Sequence, residues 1–148
     1  MLRIRRILVP IDTTKLTDRV MDTALTMAER FGARIRVLFV RDEQGPLPDD
    51  EQEVAMTIEG LRRHVRDHAK KGGHTFPDAS IEAELRTGLA EEEIVRCVEE
   101  SSVDLIVMGT HGRHGIGDRL LGSTTERVFQ RTAVPMLILR EGDETERA

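Results

Sequence analysis

The sequence predicts one α/β domain built on an open, parallel, five-stranded sheet with helices on both faces. The chain has 148 residues, which is the usual size of a single domain. Five short apolar runs alternate with four segments whose apolar residues recur at helical spacing. This βαβαβαβαβ order favours a parallel sheet with right-handed crossovers. We therefore expect a single domain over residues 1–148, with its core between about residues 4 and 140.

The first part of the chain contains two predicted strands with a helix between them. The nearly continuous apolar run Arg6–Ile11 is typical of a strand buried on both faces, and Arg34–Val40 is the second strand. From Thr17 the apolar residues recur at helical spacing, and Gly32 ends this helix. Its apolar positions are Val20, Ala24, Met27, Ala28 and Phe31.

An acidic segment follows the second strand and leads into a second helix. Residues 41–53 carry a net charge of −5, and the acidic residues 49–51 suit the first turn of a helix because the helix dipole favours anions there. Gly72 and Gly73 end the helix. Its apolar face contains Val54, Ile58, Leu61, Val65 and Ala69.

The second half of the chain completes the alternation. Ile81–Arg86 alternates between apolar and charged residues, which predicts a strand at an edge of the sheet. The third helix spans Glu91–Glu100, with Ile94, Val95 and Val98 facing inward. Val103–Met108 and Val134–Leu139 are the fourth and fifth strands, and a fourth helix over residues 123–131 lies between them. Residues 141–148 form a polar tail that we expect to be disordered.

Composition and charge exclude several classes of partner. The net charge is −5 at pH 7, so the chain lacks the basic surface that nucleic-acid binding requires. It has no Trp, no Tyr and four Phe, and it therefore offers few platforms on which bases could stack. No apolar run approaches the ~18 residues of a membrane span. The single cysteine, Cys97, gives no reason to expect an oxidising compartment. We expect a cytoplasmic protein that binds neither nucleic acid nor membranes.

A cluster of glycines follows the predicted fourth strand. Four of the twelve glycines lie between residues 109 and 117, and Gly122 opens the next helix ahead of Ser123, Thr124 and Thr125. Glycine lets backbone amides approach an anion, and a helix N-terminus supplies free N–H donors. Ligands of open α/β sheets bind beyond the carboxyl ends of the strands, which is where this segment lies. The segment therefore predicts a phosphate-binding site.

A purely structural interpretation of the same segment stays open. Glycine-rich loops also form plain turns, and Ser123 could act only as the N-cap of the fourth helix, with Glu126 completing a capping box. The spacing Gly-x-x-Gly, nine residues, Gly-Ser matches neither the Walker motif nor the dinucleotide fingerprint.

That spacing is similar to the nucleotide-binding signature of the universal stress protein family, with Gly109, Gly112, Gly122 and Ser123 at the fixed positions. Ile7–Asp12 resembles the opening strand of that family, and Val134–Leu139 resembles its closing strand. The resemblance covers residues from about 4 to 140. For the ATP-binding branch of the family, it implies the strand order 3-2-1-4-5 and a Rossmann-like fold of the adenine nucleotide alpha hydrolase type.

The resemblance implies a dimeric stress-response module that binds ATP, with Mg²⁺ neutralising the phosphates, and that hydrolyses it slowly or not at all. It implies that Pro10 and Asp12 border the ribose and adenine and that Val40 meets the adenine. The residues it implies around the ribose and phosphates are Gly109, His111, Gly112, Arg113, Gly122, Ser123, Thr124 and Thr125. The fifth strand is apolar and lies at an edge in the implied order, so we expect homodimer pairing through strand 134–139.

Other single residues have competing interpretations. Asp12 could be the nucleophile of a receiver domain, but the additional acidic pair and the lysine that such a domain needs are not in the sequence. His64 and His68 have the spacing of a metal pair, yet without nearby ligands we expect solvated helix residues. His111 and His114 bracket the glycines and are better placed to contact a ligand. We expect Cys97 to be a buried, unreactive thiol.

Two classes of function remain from the sequence. The first is the nucleotide-binding module, and the alternative is an ATP-dependent enzyme of kinase or adenylating type on a related fold. We favour the binding module because 148 residues leave no room for a second, substrate-binding subdomain.

Overall fold

In the computed structural model, five parallel strands form one sheet in the order β3-β2-β1-β4-β5. The structure describes residues 1–11, 18–41, 51–110 and 122–140, and only the backbone over 51–56. The strands are β1 (Arg6–Ile11), β2 (Arg34–Arg41), β3 (Ile81–Thr87), β4 (Leu105–Gly109) and β5 (Met136–Leu139). The helices are α1 (Asp18–Phe31), α2 (Glu51–Lys71), α3 (Ala90–Glu100) and α4 (Ser123–Arg131), and Asp78–Ser80 forms a short 3₁₀ turn. The predicted fold class and strand order are confirmed.

The sheet separates two apolar cores, because successive residues of a strand point to opposite faces. Ile7 and Val9 of β1 face the core shared with α1 and α2, whereas Leu8 faces the core shared with α3 and α4. All three side chains are fully buried, as expected for the central strand of a parallel sheet. The two helices on each face therefore leave the ends of the strands as the places where polar groups collect.

The helices end where the sequence predicts. α1 ends at Phe31, one residue before Gly32, and α2 ends at Lys71 before Gly72 and Gly73. Gly73 has φ +69°, a left-handed conformation that glycine adopts without the penalty of a side chain. The expected apolar face of α1 is wrong at its last position, since Phe31 is 51% exposed. The helical spacing alone places Phe31 on that face, but the chain turns away at this point to enter β2.

Two strands begin later than predicted. β4 begins at Leu105 and not at Val103, because Asp104, the residue between them, links this end of the strand to β1. The Asp104 carboxylate accepts hydrogen bonds from the amides of Arg5 (2.8 Å) and Arg6 (3.0 Å). β5 begins at Met136 and not at Val134, since Pro135 has no N–H to donate to a neighbouring strand.

Glu82 lies at the centre of an ion cluster at the amino ends of the first three strands. Its carboxylate is 2.9 Å from Arg36 Nε and 3.4 Å from both Arg6 Nε and Arg34 Nη1. These residues, which we call the amino-end cluster, join β1, β2 and β3. Burial alone would raise the pKa of Glu82, but the hydrogen bond and charge of Arg36, with Arg6 and Arg34, hold that pKa below its usual value.

Within the described residues, the structure contains no helix with the length and apolar character of a membrane span. The cytoplasmic location stays a prediction.

Candidate functional site

The strand order reverses between β1 and β4, and this point is where open α/β sheets bind ligands. Pro10 is half-buried near the carboxyl end of β1, and Gly109 is the last residue of β4, the adjacent strand. Val40, also half-buried, lies near the end of β2 on the other side of β1. These three predicted site residues therefore lie at the same edge of the sheet.

The first turn of α4 is attached directly to the end of β4. The Gly122 amide donates to the carbonyl of Thr110 over 2.5 Å, and the Thr110 amide donates to the carbonyl of Leu139 in β5 over 2.9 Å. Thr110 is 2% exposed, and the sequence analysis did not single it out. The signal that could have found it is its position directly after a buried strand.

The capping-box interpretation of α4 is wrong. Gly122 is the N-cap, no side chain among the described residues caps the helix, and Ser123 is its first helical residue. Gly122 has φ −63° and ψ 153°, a conformation open to any residue, so a left-handed backbone is not the reason for glycine here.

Three amides of the first turn of α4 have no backbone acceptor within the described residues: those of Ser123, Thr124 and Thr125. Helix geometry leaves the first amides without intrahelical partners, and here the first intrahelical bond runs from the Glu126 amide to the Gly122 carbonyl over 3.0 Å. Ser123 is exposed and Thr124 is half-buried. Amides and hydroxyls at the positive end of a helix dipole suit an anionic ligand.

Thr125 faces the opposite way from its neighbour Ser123. It is 3% exposed, and its hydroxyl donates to the carbonyl of Gly109 over 3.0 Å. Val128, one turn further along α4, is fully buried in the core against α3. The helical phase that buries Val128 therefore also directs Thr125 inward.

The remaining predicted site residues lie outside the described residues. They are Asp12, His111, Gly112 and Arg113. His114 and the acidic residues 42–50 lie outside as well.

His64 and His68 lie on α2 with their ring centroids 4.6 Å apart. No group of three or more His, Cys, Asp or Glu side chains could hold a metal among the residues that the structure describes. His64 is exposed, as expected, but the expectation that His68 is solvated is wrong. Its side chain is 16% exposed, and its Nε2 is 3.4 Å from Asp18 Oδ1 on α1.

The expected burial of Cys97 is confirmed. The side chain is fully buried on α3, and burial raises the pKa of the thiol, which keeps it protonated at neutral pH. Its Sγ is 3.6 Å from Glu84 Oε2.

Comparison with known proteins places this geometry in a family. The sequence model described as the universal stress protein family matches residues 3–140. A universal stress protein from Methanothermobacter thermautotrophicus is 33% identical over 130 residues, which cover 84% of this chain and 87% of that protein. Universal stress protein Slr1230 from Synechocystis is 45% identical over 60 residues, which cover 40% of this chain and only 21% of that protein.

Solved structures share the fold. Universal stress protein UspA from Lactobacillus plantarum superposes with a TM-score of 0.70 at 22% identity and covers 93% of this chain and 99% of its own. At that identity the likeness shows the fold alone. A universal stress protein solved in complex with cAMP has a TM-score of 0.68 at 26% identity and covers 95% of this chain and 99% of its own.

Proposed function

Because the chain belongs to the universal stress protein family, we propose that it is a stress-response module that binds an adenine nucleotide. The ligand we propose is ATP, bound beyond the carboxyl ends of β1 and β4. The observation that carries the proposal is the first turn of α4, which is bonded to the end of β4 at the point where the strand order reverses.

The phosphates are proposed to bind at the start of α4. The amides of Ser123, Thr124 and Thr125 and the exposed Ser123 hydroxyl supply donors where the helix dipole is positive. The Gly122 amide is committed to Thr110, so Gly122 contributes close approach of the backbone and not its own N–H. These donors fit a phosphate group, and Mg²⁺ would be held by the phosphates themselves.

The adenosine part is proposed to lie along the ends of β1 and β2. Pro10 and Val40 are half-buried there and offer apolar contact to the ribose and adenine. The relative bound to cAMP supports an adenine nucleotide as the ligand class, since cAMP contains adenine, ribose and phosphate. The glycine spacing from Gly109 to Gly122 resembles the signature of the ATP-binding branch of the family, and this resemblance supports ATP as the nucleotide. Asp12, Gly109, His111, Gly112 and Arg113 complete the proposed set.

The binding test is titration calorimetry with ATP, ADP, AMP and cAMP, on protein freed of copurified ligand. We expect Ser123→Ala to weaken ATP binding by about tenfold or more, because one hydrogen bond to a charged acceptor contributes about 1.5 to 3 kcal/mol. The matched control is Ser80→Ala at the amino end of β3, which we expect to bind like the parent protein. No heat and no thermal shift with any of the four nucleotides at millimolar concentration would contradict the proposal.

We also propose that the protein is a homodimer that pairs through β5. β3 and β5 are the two edge strands of the sheet, and they differ in character. β3 carries Glu82, Glu84 and Arg86, and charges of this kind protect an edge from pairing. β5 has the sequence Met-Leu-Ile-Leu and no charge, which favours it as the paired edge.

A further inference from the structure

We propose that Thr125 is a positioning residue: its side chain holds the first turn of α4 in place for the ligand, and its hydroxyl does not contact the ligand itself. The inference rests on the proposed nucleotide-binding function. It separates Thr125 from Ser123 and Thr124, which adjoin it in the sequence and carry the same chemical group.

Burial and hydrogen bonding support this separation. The Thr125 side chain is 3% exposed, and its hydroxyl is already used in the 3.0 Å bond to the Gly109 carbonyl. A hydroxyl has one proton to donate, so Thr125 cannot donate to a phosphate oxygen while this bond exists. Ser123, two residues earlier, is exposed.

The hydrogen bond from Thr125 to Gly109 is also the second of two links between the start of α4 and the end of β4. Gly122 and Thr125 on α4 donate to Thr110 and Gly109, which are consecutive residues. Val128 packs α4 against the core further along the helix, and the two links, about one helical turn apart, fix the direction of its first turn. Gly109 is itself paired with Leu139 of β5, so the links end on the sheet.

Fixing the first turn matters because a phosphate is bound by several amides at once. Each amide contributes fully only if it is already directed at the ligand, and ordering it during binding would cost affinity. Thr125 therefore affects binding by holding the amides of Ser123 and Thr124 in the binding arrangement before the ligand arrives.

The test compares Thr125→Val with Thr125→Ser and Ser123→Ala. Valine keeps the branched shape and removes the donor, and serine keeps the donor. We expect Thr125→Val to weaken ATP binding by about three- to tenfold, the equivalent of one ordinary hydrogen bond. We expect Thr125→Ser to restore most of the affinity. Circular dichroism melting verifies that each variant is folded.

Hydrogen exchange of the nucleotide-free proteins supplies a readout that separates positioning from contact. We expect Thr125→Val to speed exchange of the Gly122 amide, which donates to Thr110, before any nucleotide is added. We expect Ser123→Ala to weaken binding and leave that exchange unchanged. Direct contact between the Thr125 hydroxyl and the ligand would also weaken binding in Thr125→Val, but it would leave exchange of the Gly122 amide unchanged.

Two other outcomes would overturn the inference in distinguishable ways. If Thr125→Val binds ATP like the parent protein while Ser123→Ala does not, the nucleotide site stands and the positioning role is wrong. If the parent protein binds none of the four nucleotides, the proposed function fails, and the positioning role for a nucleotide fails with it. The exchange rates would still show whether Thr125 fastens α4 to β4.

Discussion

His74 connects α1 to the segment that follows α2 through both of its ring nitrogens. Nε2 is 2.9 Å from Asp22 Oδ1, and Nδ1 is 3.0 Å from Glu29 Oε2. The side chain is 9% exposed. A protonated imidazole donates from both nitrogens, whereas a neutral one donates from only one. The hydrogen bonds that the His74 ring donates to Asp22 and then to Glu29 therefore raise the pKa of His74 above its usual value, against the opposing effect of burial.

We expect His74 to make stability depend on pH. Since its pKa is raised in the folded protein, its contribution is fully present below its unfolded pKa of about 6.5 and is lost as pH rises through the folded pKa. In urea titrations between pH 5.5 and 8.5, the stability difference between the parent and His74→Gln should be largest at low pH. Parallel profiles for the two proteins would contradict this.

Gly72 offers an independent test of the contact that the His74 ring makes with Asp22 and Glu29. A Cβ at this position would lie 2.7 Å from His74 Cδ2 and 3.0 Å from Nε2, so any side chain there displaces the ring. We expect Gly72→Ala to flatten the pH profile as His74→Gln does. Gly60 is the matched control, because a Cβ there meets nothing within 4 Å, and Gly60→Ala should leave the pH dependence intact.

The strands β1, β2 and β3 depend on the amino-end cluster for their relative positions. Glu82→Gln removes the negative charge that separates Arg6, Arg34 and Arg36. Because the Glu82 side chain is 22% exposed, solvent screens part of the effect, and we expect a loss of about 1 to 2 kcal/mol in the free energy of unfolding. Glu99→Gln, at an exposed position on α3, should change stability by less than about 0.5 kcal/mol.

The contribution of Glu82 to stability depends on pH with the opposite sign from the contribution of His74. The pKa of Glu82 is lowered in the folded protein, so its contribution is present above its unfolded pKa and is lost as pH falls through the folded pKa. Denaturant titrations at pH 7 and at successively lower pH should show the parent converging on Glu82→Gln. A constant difference down to the folded pKa would refute the assignment.

The edge strand β5 provides the test of the proposed dimer. Leu137 and Leu139 pack against the core of their own chain, so substituting them would also disturb folding. Ile138 belongs to neither packed cluster among the described residues and is the better probe. We expect Ile138→Arg to give a mass near 16.7 kDa by light scattering and the parent to give twice that mass. Thr87→Lys on β3 is the control and should remain dimeric, whereas a monomeric parent at tens of micromolar would refute the dimer.

The molecule as a whole is proposed to act through nucleotide occupancy, and we expect it to hydrolyse ATP slowly. Amides and hydroxyls at the start of α4 would bind ground-state phosphates as well as the transition state, and such uniform binding does not raise the rate. We expect phosphate release below about 1 per second, compared with a median enzyme turnover of about 10 per second. A phosphate-sensor assay measures this rate. Faster release that is lost in Asp12→Asn, with ATP affinity retained, would favour the enzyme alternative.

The order of strands and helices could be predicted from the sequence because it depends on local patterns. Apolar runs and helical spacing are properties of neighbouring residues, and both follow directly from the chain. The start of β4 could not be predicted, since it depends on Asp104 bonding to Arg5 and Arg6, about a hundred residues away in the sequence. The solvated expectation for His68 failed for the same reason, because Asp18 contacts it from α1.

The place of the described candidate residues in the fold could be predicted from the sequence, but the role of each residue could not. The glycine spacing placed the site at the end of β4, where the structure puts Gly109 and the start of α4. Composition alone does not distinguish Ser123 from Thr125, because both carry a hydroxyl. A signal was present, since Thr125 lies three residues before the apolar Val128 and therefore shares its helical face.

The amino-end cluster and the start of α4 lie at opposite ends of the sheet, and this separation affects how such a protein can change over evolutionary time. Residues that hold the strands together, such as Glu82 and Arg36, are not the residues proposed to meet the ligand. A substitution at Ser123 or Thr124 can therefore alter ligand preference without lowering the free energy of unfolding that the strand contacts provide. Duplicated copies of such a gene would be free to diverge toward different small molecules while inheriting the same scaffold unchanged.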